Sequence, residues 1–184
     1  IRRPARVTNP ATSSPGLSFL LAPIAEYGDG WQDYWRDLLD NGVTIADGWS
    51  EAYYVDFSGS EGEGPKPLVL SYSSSPAAEV EADGNVPTGA LLDTCFRQTE
   101  FAGVLSGAAN RAGAEAFIDF LLSEEVQADI PGSMYVYPIR SDVTLPDEWA
   151  QYAPVAEEPY ELSPEDIAQN RDDWIQEWTE LVTG

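Results

Sequence analysis

The sequence predicts an α/β fold, on three observations. Short apolar segments of strand type alternate with helical stripes. Helices are punctuated by Ser-Pro at their fronts and Gly or Asn-Gly at their backs. Hydrophobic residues make up 43% of the 184, with six Trp, nine Tyr and six Phe, enough for a real core and too many for a disordered acidic tail. That length suits one domain or parts of two lobes, and no internal repeat is visible.

The first helix is read from Ser14-Pro15-Gly16 with Leu17, Leu20, Leu21 and Ile24. A proline at the first helical position has its φ preset, and the serine before it can accept from an orphan amide. Gly28-Asp29-Gly30 ends that helix. Trp31, Tyr34, Trp35, Leu38 and Leu39 fall at helical spacing, and Asn41-Gly42 supplies the stop. Val43-Thr44-Ile45 is a short strand feeding the turn Asp47-Gly48-Trp49-Ser50, then a short helix over 51–57. Residues 58–67 are a loop by composition.

Residues 68–72 read as a buried-type strand that runs into Ser73-Ser74-Ser75-Pro76. After an acidic connection to about Thr88, residues 90–105 read as extended, with one or two strands around Cys95. Ala114, Phe117, Ile118, Leu121 and Leu122 form a helical stripe, and a second short helix runs from Ser123 to just before Pro131. Residues 131–146 read as irregular. The last helix opens with Ser163-Pro164-Glu165-Asp166, a near capping box, and its stripe is Ile167, Trp174, Ile175, Trp178 and Leu181. Trp31, Trp35, Trp174 and Trp178 sit on such stripes and are expected in the core.

Charge narrows the function classes. Thirty-two acidic against nine basic residues give a net of −23, with a single Lys (Lys66) and no His. Such a field repels nucleic-acid phosphates and anionic lipid and attracts cations. It fits an acidic, solubility-adapted protein, and it also fits steering of a cationic solute. Without His, the commonest acid–base group and metal ligand is absent from this chain. The single Cys95 has no internal disulfide partner. The apolar stretches are too short to span a bilayer, so a soluble chain is expected. The start Ile1-Arg2-Arg3 lacks an initiator Met and a signal-peptide pattern, which suggests a cropped or processed chain.

Several segments, in their order, point to one family. Ala11-Thr12-Ser13-Ser14-Pro15-Gly16 resembles the Thr-Ser-Thr-Pro-Gly turn of the thiamine-binding periplasmic proteins of bacterial ABC importers. Asp47-Gly48-Trp49-Ser50-Glu51-Ala52-Tyr53 resembles their Lys-Gly-Trp-Ser-Glu-Ala-Tyr. Leu70-Ser71-Tyr72-Ser73-Ser74-Ser75-Pro76-Ala77 resembles their Leu-Ser-Tyr-Thr-Thr-Ser-Pro-Ala, although Ala78 stands where the family motif continues with Tyr. Phe120-Leu121-Leu122-Ser123, Tyr137-Pro138, Val143-Thr144-Leu145-Pro146 and the tail from Asn170 to Trp178 correspond as well. The resemblance is collinear over nearly the whole chain.

It implies a type II periplasmic-binding-protein-like α/β fold: one lobe plus C-terminal helices of the other, with an N-terminal segment missing. Residues 1–90 would be the ligand-binding lobe, 91–105 crossover strands, and 106–184 a C-terminal helical part packing toward that N-terminal lobe. The implied role is capture of thiamine or its phosphates and delivery to the membrane permease of the importer. The resemblance implies no catalysis, and no cofactor, metal or nucleic acid is expected. The protein is expected to be a monomer, periplasmic or extracellular, either free or lipid-anchored to the cell membrane.

The ligand's chemistry sets what the site needs. Thiamine joins a cationic thiazolium to an aminopyrimidine and carries a hydroxyethyl arm that can be phosphorylated. Flat cationic rings call for aromatic faces, and the hydroxyl or phosphate calls for hydroxyl and amide donors. By resemblance, Ser13 and Ser14 take the hydroxyethyl or phosphate end. Trp49 with Ser50, Tyr72 at a strand's C-terminal end, and Tyr135, which aligns with a family Trp, line the rings.

Three rivals remain at this level. One is a receptor of the same fold for a polyamine, ferric iron or an oxyanion. Tyr53-Tyr54 is the feature that would suit iron, although helix neighbours point about 100° apart. A second is a thiamine-degrading enzyme attacking through Cys95, which has no His or Lys beside it and reads better as a buried thiol. The third is a protein-interaction domain using acidic surface and exposed aromatics.

Overall fold

The computed structural model describes residues 4–59 and 62–184. Residues 60 and 61 of the predicted 58–67 loop lie outside the described residues. Two compact units share the chain. One takes Ile1–Ser73, Leu91–Arg97 and Val155–Gly184; the other takes Ser74–Ala90 and Gln98–Pro154. This interleaving differs from boundaries at 90 and 106, because residues 91–97 and 155–184 fold with the first stretch.

The first unit is built on a three-stranded parallel sheet of order β2-β1-β3. Strand β1 is Ala5–Thr8, β2 is Thr44–Ala46 and β3 is Leu68–Val69. The register pairs Val7 with Ile45 and Arg6 with both Thr44 and Val69. Parallel neighbours require long crossovers. Helices α1 (Ser14–Tyr27) and α2 (Trp31–Asp40), joined by a 3-10 turn over Gly28–Gly30, make the first of them. The second opens with α3 (Trp49–Glu51), which passes directly into a π-helical turn over Ala52–Asp56. Helix α1 starts as its sequence dictates, with Ser13 Oγ accepting from the Gly16 amide. Only glycine fits at 16, since a Cβ there would lie 2.5 Å from the Thr8 carbonyl oxygen.

Val7 points from the central strand into a core with Leu20, Leu21, Ile24, Trp31, Trp35, Val43 and Trp178. The last helix, α8 (Pro164–Thr183), is capped by Ser163 and lays Ile167, Trp174, Ile175 and Leu181 on this core. Three of the four stripe tryptophans are fully buried and Trp174 is half-buried, as their spacing predicts. In place of strands over 91–105 there is a 3-10 turn at Leu92–Thr94 and one bridge, Phe96 to Tyr160. Most of that stretch is exposed, so no buried face fixes a strand register.

The second unit is helical: α4 (Ser75–Ala78), α5 (Arg111–Leu121), α6 (Glu124–Met134) and α7 (Asp147–Tyr152). Asn110 and Ser123 cap α5 and α6. Its small core is Ala77, Trp149 and Ala153, with Tyr137, Leu145 and Tyr152 against them. Helix α6 does not stop before Pro131 but runs through it. Pro131 is fully buried, and its packing outweighs the lost amide donor.

Candidate functional site

All the sequence-predicted residues of the first unit lie at the C-terminal edge of its sheet, where open parallel sheets bind ligands. After β1 come Asn9 to Gly16 and the N-terminus of α1; after β2, Gly48-Trp49-Ser50; after β3, Ser71-Tyr72. These exits are tied together. Thr12 Oγ1 donates to the Asp47 carbonyl at 2.9 Å, and Ser13 Oγ donates to Thr8 Oγ1 at 3.0 Å. Ser13 is half-buried, whereas Ser14 and Ser50 are exposed.

Trp49 is the centre of an aromatic cluster. Its ring stacks on Tyr53 at 4.7 Å and 16°, meets Tyr54 edge-on at 5.2 Å, and is tilted toward Tyr72 at 6.2 Å. The indole N–H donates to Ser71 Oγ at 2.9 Å, which fixes the plane of the ring. Beneath it, Tyr53 is buried, while Trp49 and Tyr72 are half-buried and Tyr54 is exposed. Tyr53 and Tyr54 are themselves perpendicular, at 87°, so one supports the cluster and the other faces out. They do not present their rings together.

The helical segment carrying Trp49 is anchored from below. Arg6, mostly buried on β1, pairs with Glu51 at 3.0 Å and Asp56 at 2.6 Å, one at each end of the π turn. The loop that follows folds back onto this turn: the Lys66 amide donates to the Asp56 carbonyl, and Gly64 lies so close that a Cβ would meet that same carbonyl. A π-helical turn is an uncommon element and often marks functional positions. Here it sets Tyr53 under Trp49.

Tyr135 belongs to the second unit. It closes α6 in the left-handed conformation, φ 58° and ψ 29°, the sole non-glycine residue with positive φ among those described. An aromatic side chain there costs about 1–2 kcal/mol relative to glycine. The residue is 44% exposed.

Sequence reasoning gave Arg6 and Ser71 no role of their own and read Tyr53 only as one half of a tyrosine pair. Tyr53 follows Trp49 by four, a spacing that puts two rings on one helical face. Ser71 and Arg6 left no local signal, since both act across the sheet. Cys95 is half-buried rather than buried, and its thiol is pushed up first by desolvation and then by Asp93. Raised in this way, it is a poor source of thiolate.

Comparison with known proteins places the chain. Residues 6–157 match the family model for bacterial extracellular solute-binding proteins. A thiamine-binding periplasmic protein of Salmonella typhimurium is 34% identical over 177 residues, 95% of this chain and 52% of that protein. The corresponding protein of Brucella suis is 31% identical over 173 residues, 92% of this chain and 50% of its own length. The solved structure of a periplasmic thiamin binding protein superposes with a TM-score of 0.85 at 31% identity, covering all of this chain and 56% of that one. The chain thus spans about half the length of the curated relatives it matches, and its α/β architecture is the type II binding-protein-like one expected from the sequence. It belongs to the bacterial extracellular solute-binding protein family.

Proposed function

We propose that this chain forms part of a receptor that captures thiamine, free or phosphorylated, and hands it to the membrane permease of an ABC importer. The observation that carries this reading is the aromatic cluster around Trp49 at the C-terminal edge of the sheet, hydrogen-bonded through the Thr12–Asp47 contact to the start of α1. Trp49 and Tyr72 offer faces to the flat cationic rings, where each cation–π contact contributes about 0.5–2 kcal/mol. Ser13 and Ser14, at the N-terminus of a fourteen-residue helix, suit the hydroxyethyl or phosphate end. Ser50 adds a hydroxyl, and Tyr135, in the second unit, offers an exposed aromatic side chain of its own.

The net charge of −23 favours approach of a cation. The thiamine-binding names of the relatives support the same ligand. Capture works by differential binding: ligand stabilises the receptor conformation that makes more contacts with it, and the permease recognises that conformation. The receptor acts outside the cytoplasm, in the periplasm or anchored to the membrane by lipid, and performs no chemistry on its ligand.

Titration calorimetry of thiamine into the full-length protein tests this. Tight binding that Trp49→Ala abolishes is the expected result. No heat at millimolar thiamine would sink the thiamine assignment and leave another cationic solute of the same family to be found by a competition panel.

A further inference from the structure

We infer that Ser74 is a positioning residue for ligand recognition, acting through the backbone of Tyr135; the inference rests on the receptor reading above. Ser74 is 1% exposed, and its Oγ donates to the Tyr135 carbonyl at 2.6 Å, across 61 residues of chain. This is a buried hydroxyl spent on one peptide group, at the one described non-glycine residue held at positive φ.

The chain beyond Tyr135 is pinned as well. Gln127, itself buried, accepts from the Ile139 amide at 2.8 Å and donates to the Leu121 carbonyl. Tyr137 donates its hydroxyl to the Ala153 carbonyl and meets Trp149 edge-on. Helix ends that need the left-handed conformation normally use Gly or Asn. Here an aromatic residue takes the position and keeps its ring outside the core. A strained backbone with both flanks fixed and a ring left exposed is a device for aiming that ring. Ser74 supplies the hydrogen bond that holds the strained peptide in place, so removing its hydroxyl lets Tyr135 relax and its ring wander.

Two measurements on the full-length protein test this. The first needs no ligand: 19F NMR of protein labelled with 3-fluorotyrosine, with the Tyr135 resonance assigned by Tyr135→Phe. A single narrow line is expected in the parent protein, broadened or split in Ser74→Ala and restored in Ser74→Thr, which keeps the hydroxyl. An unchanged line in Ser74→Ala overturns the clamp. Where Ser74→Ala does not fold, Ser74→Cys, a much weaker donor, takes its place.

The second is thiamine titration. Ser74→Ala is expected to weaken binding about tenfold in the parent and less than twofold in a Tyr135→Ala background. An equal loss in both backgrounds, or no loss in the parent, means that Ser74 does not act through Tyr135 and overturns the inference. If the parent protein binds no thiamine, the receptor reading fails at that step, and the 19F line alone decides whether the clamp exists.

Discussion

Trp35 and Trp49 are fourteen residues apart in the first unit, and the fold uses them in opposite ways. Trp35 is fully buried, with Phe19 and Trp178 packed edge-on against it at 5.5 and 5.4 Å. Neither its indole nitrogen nor that of Trp178 has a hydrogen-bond partner among the described residues. Trp49, half-buried at the rim of the sheet, has its indole bonded to Ser71 and one face stacked on Tyr53. The interior tryptophan contributes volume and apolar area, whereas the rim tryptophan contributes a ring of fixed orientation. Polar fixation of the indole, more than its degree of burial, therefore separates the rim tryptophan from the core one.

The comparison can be broken at either end. The largest expected effect is on the core: Trp35→Ala removes a fully buried side chain and should cost about 3–5 kcal/mol of stability in denaturant melts. Trp35→Phe should cost far less, because no hydrogen bond is lost with the indole. A Phe variant as unstable as the Ala variant would mean that the indole nitrogen has a structural partner after all. Gly16→Ala comes next. Its Cβ would press on the Thr8 and Asn9 carbonyls at 2.5 and 2.7 Å, backbone atoms that cannot swing away. A loss of about 1–3 kcal/mol is expected, together with weaker thiamine binding, since the start of α1 would be displaced.

At the rim the order of effects reverses between stability and binding. Trp49→Phe keeps an aromatic ring but loses the bond to Ser71, and Ser71→Ala loses the same bond from the other side. Both should cost no more stability than one hydrogen bond, about 0.5–1.5 kcal/mol, and weaken thiamine binding several-fold. In the double variant the two losses should not add. Additive losses in a calorimetric cycle would show that Ser71 acts on the ligand independently of Trp49.

The same contrast explains what could be read from the sequence. Helices α1, α2 and α8 were legible because Ser13-Pro15, Asn41-Gly42 and Ser163-Pro164 mark their ends and their tryptophans and leucines repeat at helical spacing. Strand β1 escaped notice: its four residues, Ala-Arg-Val-Thr, make sense only between two partners 38 or more residues away. The extended reading of 90–105 failed for the converse reason, since local apolar residues had no sheet to join. At the site, Trp49, Tyr72 and Ser13 stand out by local motif. Arg6 lies in no motif, and Thr12 and Ser71, although inside motifs, show their supporting roles only through contacts between strand exits. Tyr53 lay between these cases, recognisable by its spacing from Trp49 but read as one half of a tyrosine pair.

The smallest expected effect concerns Cys95, whose neighbour Phe96 packs against the core that holds Trp35. Desolvation, with Asp93 adding repulsion, raises the thiol above its ordinary value. The thiolate is therefore scarcer than in a free cysteine at every pH up to that raised value, and alkylation should be correspondingly slow. The rate of iodoacetamide modification, followed against pH, should rise with an inflection above that of a model thiol. Asp93→Asn should shift the inflection down slightly, because it removes the smaller of the two causes. The sign for stability follows as well. A raised folded pKa leaves Cys95 without effect below the ordinary thiol range and destabilising above it, as the unfolded thiol ionises first. Cys95→Ser should thus flatten part of any alkaline loss of stability while leaving thiamine binding unchanged. An inflection below the ordinary thiol value would instead mark an activated cysteine and reopen the case for chemistry on the ligand, which incubation with thiamine over hours would then reveal as its consumption.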